Sequence, residues 1–164
     1  LASAEAWQRE VDGWIPPLEN DAEHFGPQYL VDATGDFIAE ETRLLQGPTT
    51  VGLEEAASRA RALGGLAIPA HIDRTYNGLM PILGLWPADL RVDAAEVSLN
   101  MRPSQARKTY RSLPEDLTLI SNSDAHWLEW MGKVITILRL AASPDLEEIR
   151  CALLGEGERR AYVP

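Results

Sequence analysis

Along the first sixty-odd residues the apolar positions recur at helical spacing in two places, and beyond residue 65 they gather into short runs. From Ser3 to Gly13, Ala6, Trp7 and Val11 share one helical face, with Ser3 placed to cap it. The segment Trp14 to Gly26 reads as a loop, because Pro16, Pro17 and Asn20 break any period. Tyr29-Leu30-Val31 and Phe37-Ile38 flank Ala33-Thr34-Gly35-Asp36, the turn residues of a short hairpin. Thr49 and Thr50 stand where they can cap a second helix, on which Leu53, Ala56, Ala57, Ala60 and Leu63 form one buried face and which Gly64-Gly65 ends.

The pattern then changes. Leu66 to His71 is a short apolar run of the kind that forms a strand buried on both faces, with His71 at its C-terminal end. The same alternation predicts a strand over Ala94 to Leu99, a helix from Pro103 to Arg111 and strands over Leu117 to Ile120 and Lys133 to Leu140. A last helix, capped by Ser143, runs to about Leu154, and Ala161 to Val163 closes the chain as a strand. Strands alternating with helices imply an α/β fold with a largely parallel sheet, open or closed into a barrel. No repeat, low-complexity tract or linker interrupts it, so residues 1–164 read as a single domain.

Composition adds limits. A chain of 164 residues with 45% apolar content can bury one proper core. Charges or prolines break every run that approaches the roughly 20 apolar residues of a spanning helix. The chain opens Leu1-Ala2-Ser3-Ala4-Glu5 without Met or a basic leader, so its start is expected to lie partway through a longer protein. The formal charge of −10 argues against non-specific nucleic-acid binding, which needs clustered Lys and Arg. The single cysteine, Cys151, excludes an internal disulfide, fits a reducing cytoplasm and sits in a helical pattern as a packing residue.

The residues able to carry chemistry stand at strand ends. In Ser121-Asn122-Ser123-Asp124-Ala125-His126, a carboxylate and an imidazole lie two apart just beyond an apolar strand. In extended backbone such residues project to one side, and both are ligands for Zn²⁺, Mn²⁺ or Fe²⁺. Taken alone, Asp124 reads as a cap and His126 as a ring packed beside Trp127. His71 alone reads equally as a hydrogen-bonded core residue. What ties the three together is that the carboxyl ends of parallel strands all face one side of an α/β sheet. Arg74, and less directly Arg102, offers a guanidinium for a phosphate, although either can be a surface charge. Glu96, in mid-strand, calls for a positively charged or metal-bound neighbour. His24 takes an ordinary loop role, and Trp127, Trp130 and Met131 either wall the pocket or fill the core.

Three stretches, Gly64 to Arg74, Asp93 to Ser98 and Ser123 to His126, resemble in order the C-terminal motifs of the PHP (polymerase and histidinol phosphatase) family of metal-dependent phosphoesterases. Residues 14–50 look like the loop and hairpin insert of some members. The resemblance implies a distorted β/α barrel, here partial or truncated with mostly parallel strands, whose strand ends hold up to three divalent ions that activate water against a phosphate ester. By motif position His71, Asp124 and His126 would be metal ligands and Glu96 a group behind them or on the substrate side, while Arg74 keeps the phosphate-gripping role read from its own place. The family's N-terminal His-x-His motif and its further ligands have no counterpart in the chain. The resemblance therefore implies a partial site in a piece that is inactive alone, completed by residues cut away or supplied by another chain. Its expected partners are a small phosphorylated substrate and another copy of the chain joined through an exposed sheet edge. The competing expectation is a non-catalytic regulatory or assembly module that retains the fold.

Overall fold

A computed structural model describes residues 2–164. Contacts divide the chain into two compact units, Leu1–Ala56 and Ala57–Pro164. No helix among the described residues is long and apolar enough to cross a membrane.

In the first unit, α1 (Ala2–Trp14) runs through Ser3, which therefore lies inside the helix rather than capping it. Trp7 and Trp14, two turns apart on one face, meet edge to face at 5.1 Å. The stretch expected as loop contains one helical turn, α2 (Ala22–Phe25), because the Asp21 carboxylate accepts from the N–H groups of Glu23 and His24 at 3.0 and 3.2 Å. His24 packs on Phe25, as an ordinary side chain. The hairpin forms as the turn residues predict. Strands β1 (Tyr29–Val31) and β2 (Phe37–Glu40) pair antiparallel, and the Asp32 carboxylate closes the turn by accepting from the Thr34 and Asp36 N–H groups at 2.8 and 3.0 Å.

The helix α3 (Leu53–Ala62) carries the chain onward and stops at Gly64, whose φ of +80° suits glycine. Neither threonine caps it. The Thr49 and Thr50 hydroxyls donate instead to the carbonyls of Val51 and Trp14. The second unit continues with α4 (Leu79–Leu83), β3 (Ala95–Val97), α5 (Pro103–Thr109), β4 (Leu119–Ser121), a single 3-10 turn over Leu128–Trp130, β5 (Ile137–Arg139), α6 (Leu146–Leu154) and β6 (Arg160–Tyr162). One apolar cluster gathers Ile72, Met80, Trp86, Val97, Ala106 and Leu113; another joins Ala94, Ile120 and Leu153. α6 starts two residues later than expected because Asp145, not Ser143, accepts from the Glu148 N–H at 2.8 Å.

The expected barrel of mostly parallel strands is not what the chain forms. The described residues hold three separate two-stranded sheets, of which only β3–β4 is parallel, and no barrel closes. Two local causes are visible. Leu66 to His71 does run alongside β3, with Asp93 N–H donating to the Ala67 carbonyl at 2.9 Å and Glu96 N–H to that of Pro69 at 2.9 Å. Yet Pro69 has no N–H to return, and His71 turns the backbone out of the β region at a φ of +32°, so no regular ladder forms. Between Lys133 and Thr136, side chains take the place of strand pairing: Ser123 Oγ bonds both the N–H and the carbonyl of Val134, and Thr136 Oγ1 bonds the N–H and the carbonyl of Ser121. Only Ile137–Arg139 of the expected strand pairs, with β6.

The closing elements are joined by charge. Glu148, largely buried, receives Arg159 Nε at 2.9 and 3.0 Å and the N–H groups of Ala141 and Ala142 at 2.9 and 3.2 Å. Arg159, and then those amides, hold its carboxyl down at about 2 against an ordinary 4.5. A depressed carboxylate stabilises the fold above its unfolded pKa and loses that contribution as pH falls towards the folded value. Glu148→Gln is therefore expected to lower Tm at pH 7 and to flatten the decline of Tm between about pH 5 and pH 2 expected of the native protein, both readable by circular dichroism melts.

Candidate functional site at the strand ends

The parallel register of β3 and β4, Glu96 opposite Ile120 and Val97 opposite Ser121, brings their C-terminal ends out together, and the segment ending at His71 runs in the same direction beside them. Ile72 and Val97, both fully buried, fasten the end of the His71 segment and the end of β3 to the core. The loops leaving the three ends enclose a cleft of about 340 Å³ lined by Asp73, Arg74, Thr75, Ser98, Leu99, Asn100, Asp124, His126 and Trp130.

Side-chain bonds between the ends set its shape. The Asp73 carboxylate accepts from the Ser98 N–H at 2.6 Å and the Ser98 hydroxyl at 2.7 Å, tying the loop after His71 to the end of β3. Glu96 accepts from Asn122 Nδ2 at 3.0 Å and faces the His71 N–H at 3.4 Å. Its partners are thus amides, not the cation or metal expected from its place in an apolar strand. Across the cleft Arg74 Nη1 donates to Asp124 Oδ2 at 3.0 Å, a half-exposed pair. His126 Nδ1 lies 2.8 Å from the Asp124 carbonyl. A carbonyl only accepts, so Nδ1 carries the hydrogen, and in the neutral ring Nε2 is left as an acceptor.

Two candidate residues occupy left-handed backbone that side chains disfavour: His71 at a φ of +32° and Asp124 at +45°. Such conformations cost of order 1 kcal/mol or more and persist where the surroundings enforce them, frequently at functional positions. The Arg74 backbone is approached closely by Gly78. A methyl group there would lie 2.2 Å from the Arg74 carbonyl oxygen and 2.6 Å from its nitrogen, so only glycine lets the two backbones approach.

Asp124, His126 and Arg74 therefore share one cleft, while His71 is not among the residues lining it. The buried Nδ1 of His71 has no hydrogen-bond partner among the described residues, which would suit a ligand nitrogen. The rest of the donor set is missing: the Asp124 carboxylate is engaged by Arg74, and no group of three or more His, Cys, Asp or Glu among the described residues is arranged to hold a metal ion. The described residues alone therefore do not assemble a complete Zn, Mn or Fe centre, in keeping with the partial site expected of this chain. Arg102 precedes α5, exposed and outside the cleft. Asp73, Asn122 and Gly78 were not singled out by sequence pattern, since each acts on a partner that no local period reveals.

The chain matches no family model, and no curated protein matches it. Among solved structures it is similar, at a TM-score of 0.64 and 21% identity, to PfuEndoQ, a lesion-specific endonuclease from Pyrococcus furiosus. The two share a fold. The likeness covers 98% of this chain and 35% of the endonuclease's, so this chain spans about a third of that one. It corrects the expected partners: with this fold present in an endonuclease, neither a small phosphorylated substrate nor the exclusion of nucleic acid stands. The exclusion leaned on a net charge of −10, which is a sum over the whole surface, whereas phosphate contacts depend on cations local to a cleft, here Arg74.

Gly78→Ala is expected to cost about 1–3 kcal/mol in urea unfolding through this overpacking. Gly13→Ala, in α1 with nothing within 4 Å of the added methyl, is expected to leave stability unchanged or raise it.

Proposed function

We propose that this chain is part of a phosphoester hydrolase of the PHP type that acts on nucleic acid, and that its strand-end cleft receives a backbone phosphate. The observation that carries the reading is Arg74 at the cleft, with only Nη1 committed, to Asp124, among the described residues. Nε and Nη2 remain to grip an anionic oxygen in the planar, two-point manner that suits phosphate. Asp124 fixes the guanidinium plane and in doing so weakens the field, which makes binding dependent on low ionic strength. His126, with Nε2 free to accept, stands beside the same space to take a proton or bond a hydroxyl. Further support comes from the fold shared with a lesion-specific endonuclease and from the ordered PHP-like motifs. Since the described residues gather no three-ligand group, the role proposed for this chain is to hold the strand. That same absence favours a second reading, a module that keeps the fold without chemistry.

Fluorescence anisotropy with a labelled duplex carrying one defined base lesion tests this. Binding is expected to weaken steeply with salt, and Arg74→Ala to weaken it about tenfold, the worth of one charge-assisted bond. Arg139→Ala, which removes the same charge from β5, should leave it unchanged. Absence of binding to any oligonucleotide at low salt overturns the proposal and leaves the second reading.

A further inference from the structure

We infer that the turn from Trp127 to Met131 is a stacking platform for one unpaired nucleobase, seated next to the phosphate at Arg74. The inference rests on the nucleic-acid reading above and names the part of the strand that this end of the cleft engages. Four large apolar side chains succeed the Asp124/His126 segment and none enters the core: Trp127 is 66% exposed, Leu128 84%, Trp130 39% and Met131 68%. An exposed apolar cluster of this kind marks a surface with something to bind.

What selects the occupant is the charge around it. Trp130 lines the same cleft as Arg74 and Asp124, and Lys133 Nζ stands 5.2 Å from the centre of the Trp130 ring. The Trp130 ring, with Lys133 over one face and Arg74 in the same cleft, matches a nucleotide, which presents a flat π-surface and an anion a few ångströms apart. A cleft of about 340 Å³ takes a single nucleotide, not a duplex, so the base must be unpaired or swung out of its stack. Gly132, at a φ of +74°, follows the Met131 cap of the 3-10 turn and turns the chain so that Lys133 comes to the ring.

The test uses three labelled probes with the native protein: a single-stranded oligonucleotide, the same strand with one abasic position, and the fully paired duplex. The single strand is expected to bind best and to quench tryptophan fluorescence. Trp130→Ala should weaken that binding roughly ten- to hundredfold, in line with the worth of one stacked base, and abolish most of the quenching; Trp130→Phe should restore most of the affinity. At the abasic position the native protein and Trp130→Ala should converge. Trp130 is partly exposed, so unchanged circular dichroism separates lost stacking from lost folding. If oligonucleotides bind in an Arg74-dependent way but Trp130→Ala matches the native protein on all three probes, the stacking platform is overturned and the phosphate cleft stands. If none binds, both fall.

Discussion

The strand-end region depends on one carboxylate, that of Glu96, which joins the segment after β4 to the run ending at His71, a run that no regular ladder holds beside β3. Its Oε1 takes Asn122 from the segment after β4, and its Oε2 faces the His71 N–H at the end of the run beside β3. Asn122 in turn accepts from the Thr136 N–H at 3.1 Å, extending the link to the chain entering β5. A half-buried carboxylate with amide partners is satisfied without a cation, and hydrogen bonds to a charged acceptor are the stronger kind. Strands of three residues each have few backbone bonds with which to set their mutual position, so these side chains supply what the ladders do not.

The cleft inherits its geometry from that arrangement. Asp73 fastens one rim to Ser98, Gly78 admits the Arg74 backbone, and the left-handed turns at His71 and Asp124 re-aim the chain just past the core. The result is a pair of opposite charges at the rim, with an imidazole and an indole beside them. Each is placed by backbone constraint more than by packing of its own side chain, which is why the site survives on small strands.

Much of this was legible in the residues. Period alone found α1, α3, α5 and α6, the hairpin, and the strands β3, β4 and β6, because each buries a stripe or run whose spacing is local. The fold class failed where single residues overrode the pattern: Pro69 and His71 deny the run before β3 a ladder, and Ser123 and Thr136 intercept backbone groups that would otherwise pair. α4 escaped notice because Leu79-Met80-Pro81-Ile82-Leu83 is apolar all round, with Pro81 in the first turn where its missing N–H costs nothing. Motif resemblance drew attention to Arg74, Asp124 and His126, which do share a cleft, but it could not show that Asp124 would be spent on Arg74. Asp73 and Asn122 stayed hidden because their partners lie 25 and 26 residues away.

The hydroxyl stitching between residues 121–123 and 134–136 has a consequence outside the cleft. Along its outer side β4 has no strand partner among the described residues, yet Ser121 and Ser123 spend themselves and their neighbours on Thr136 and Val134. An open strand margin is a template on which foreign chains can polymerise. Here that margin is already engaged by short polar side chains, which leaves fewer free backbone groups for a foreign strand to pair with.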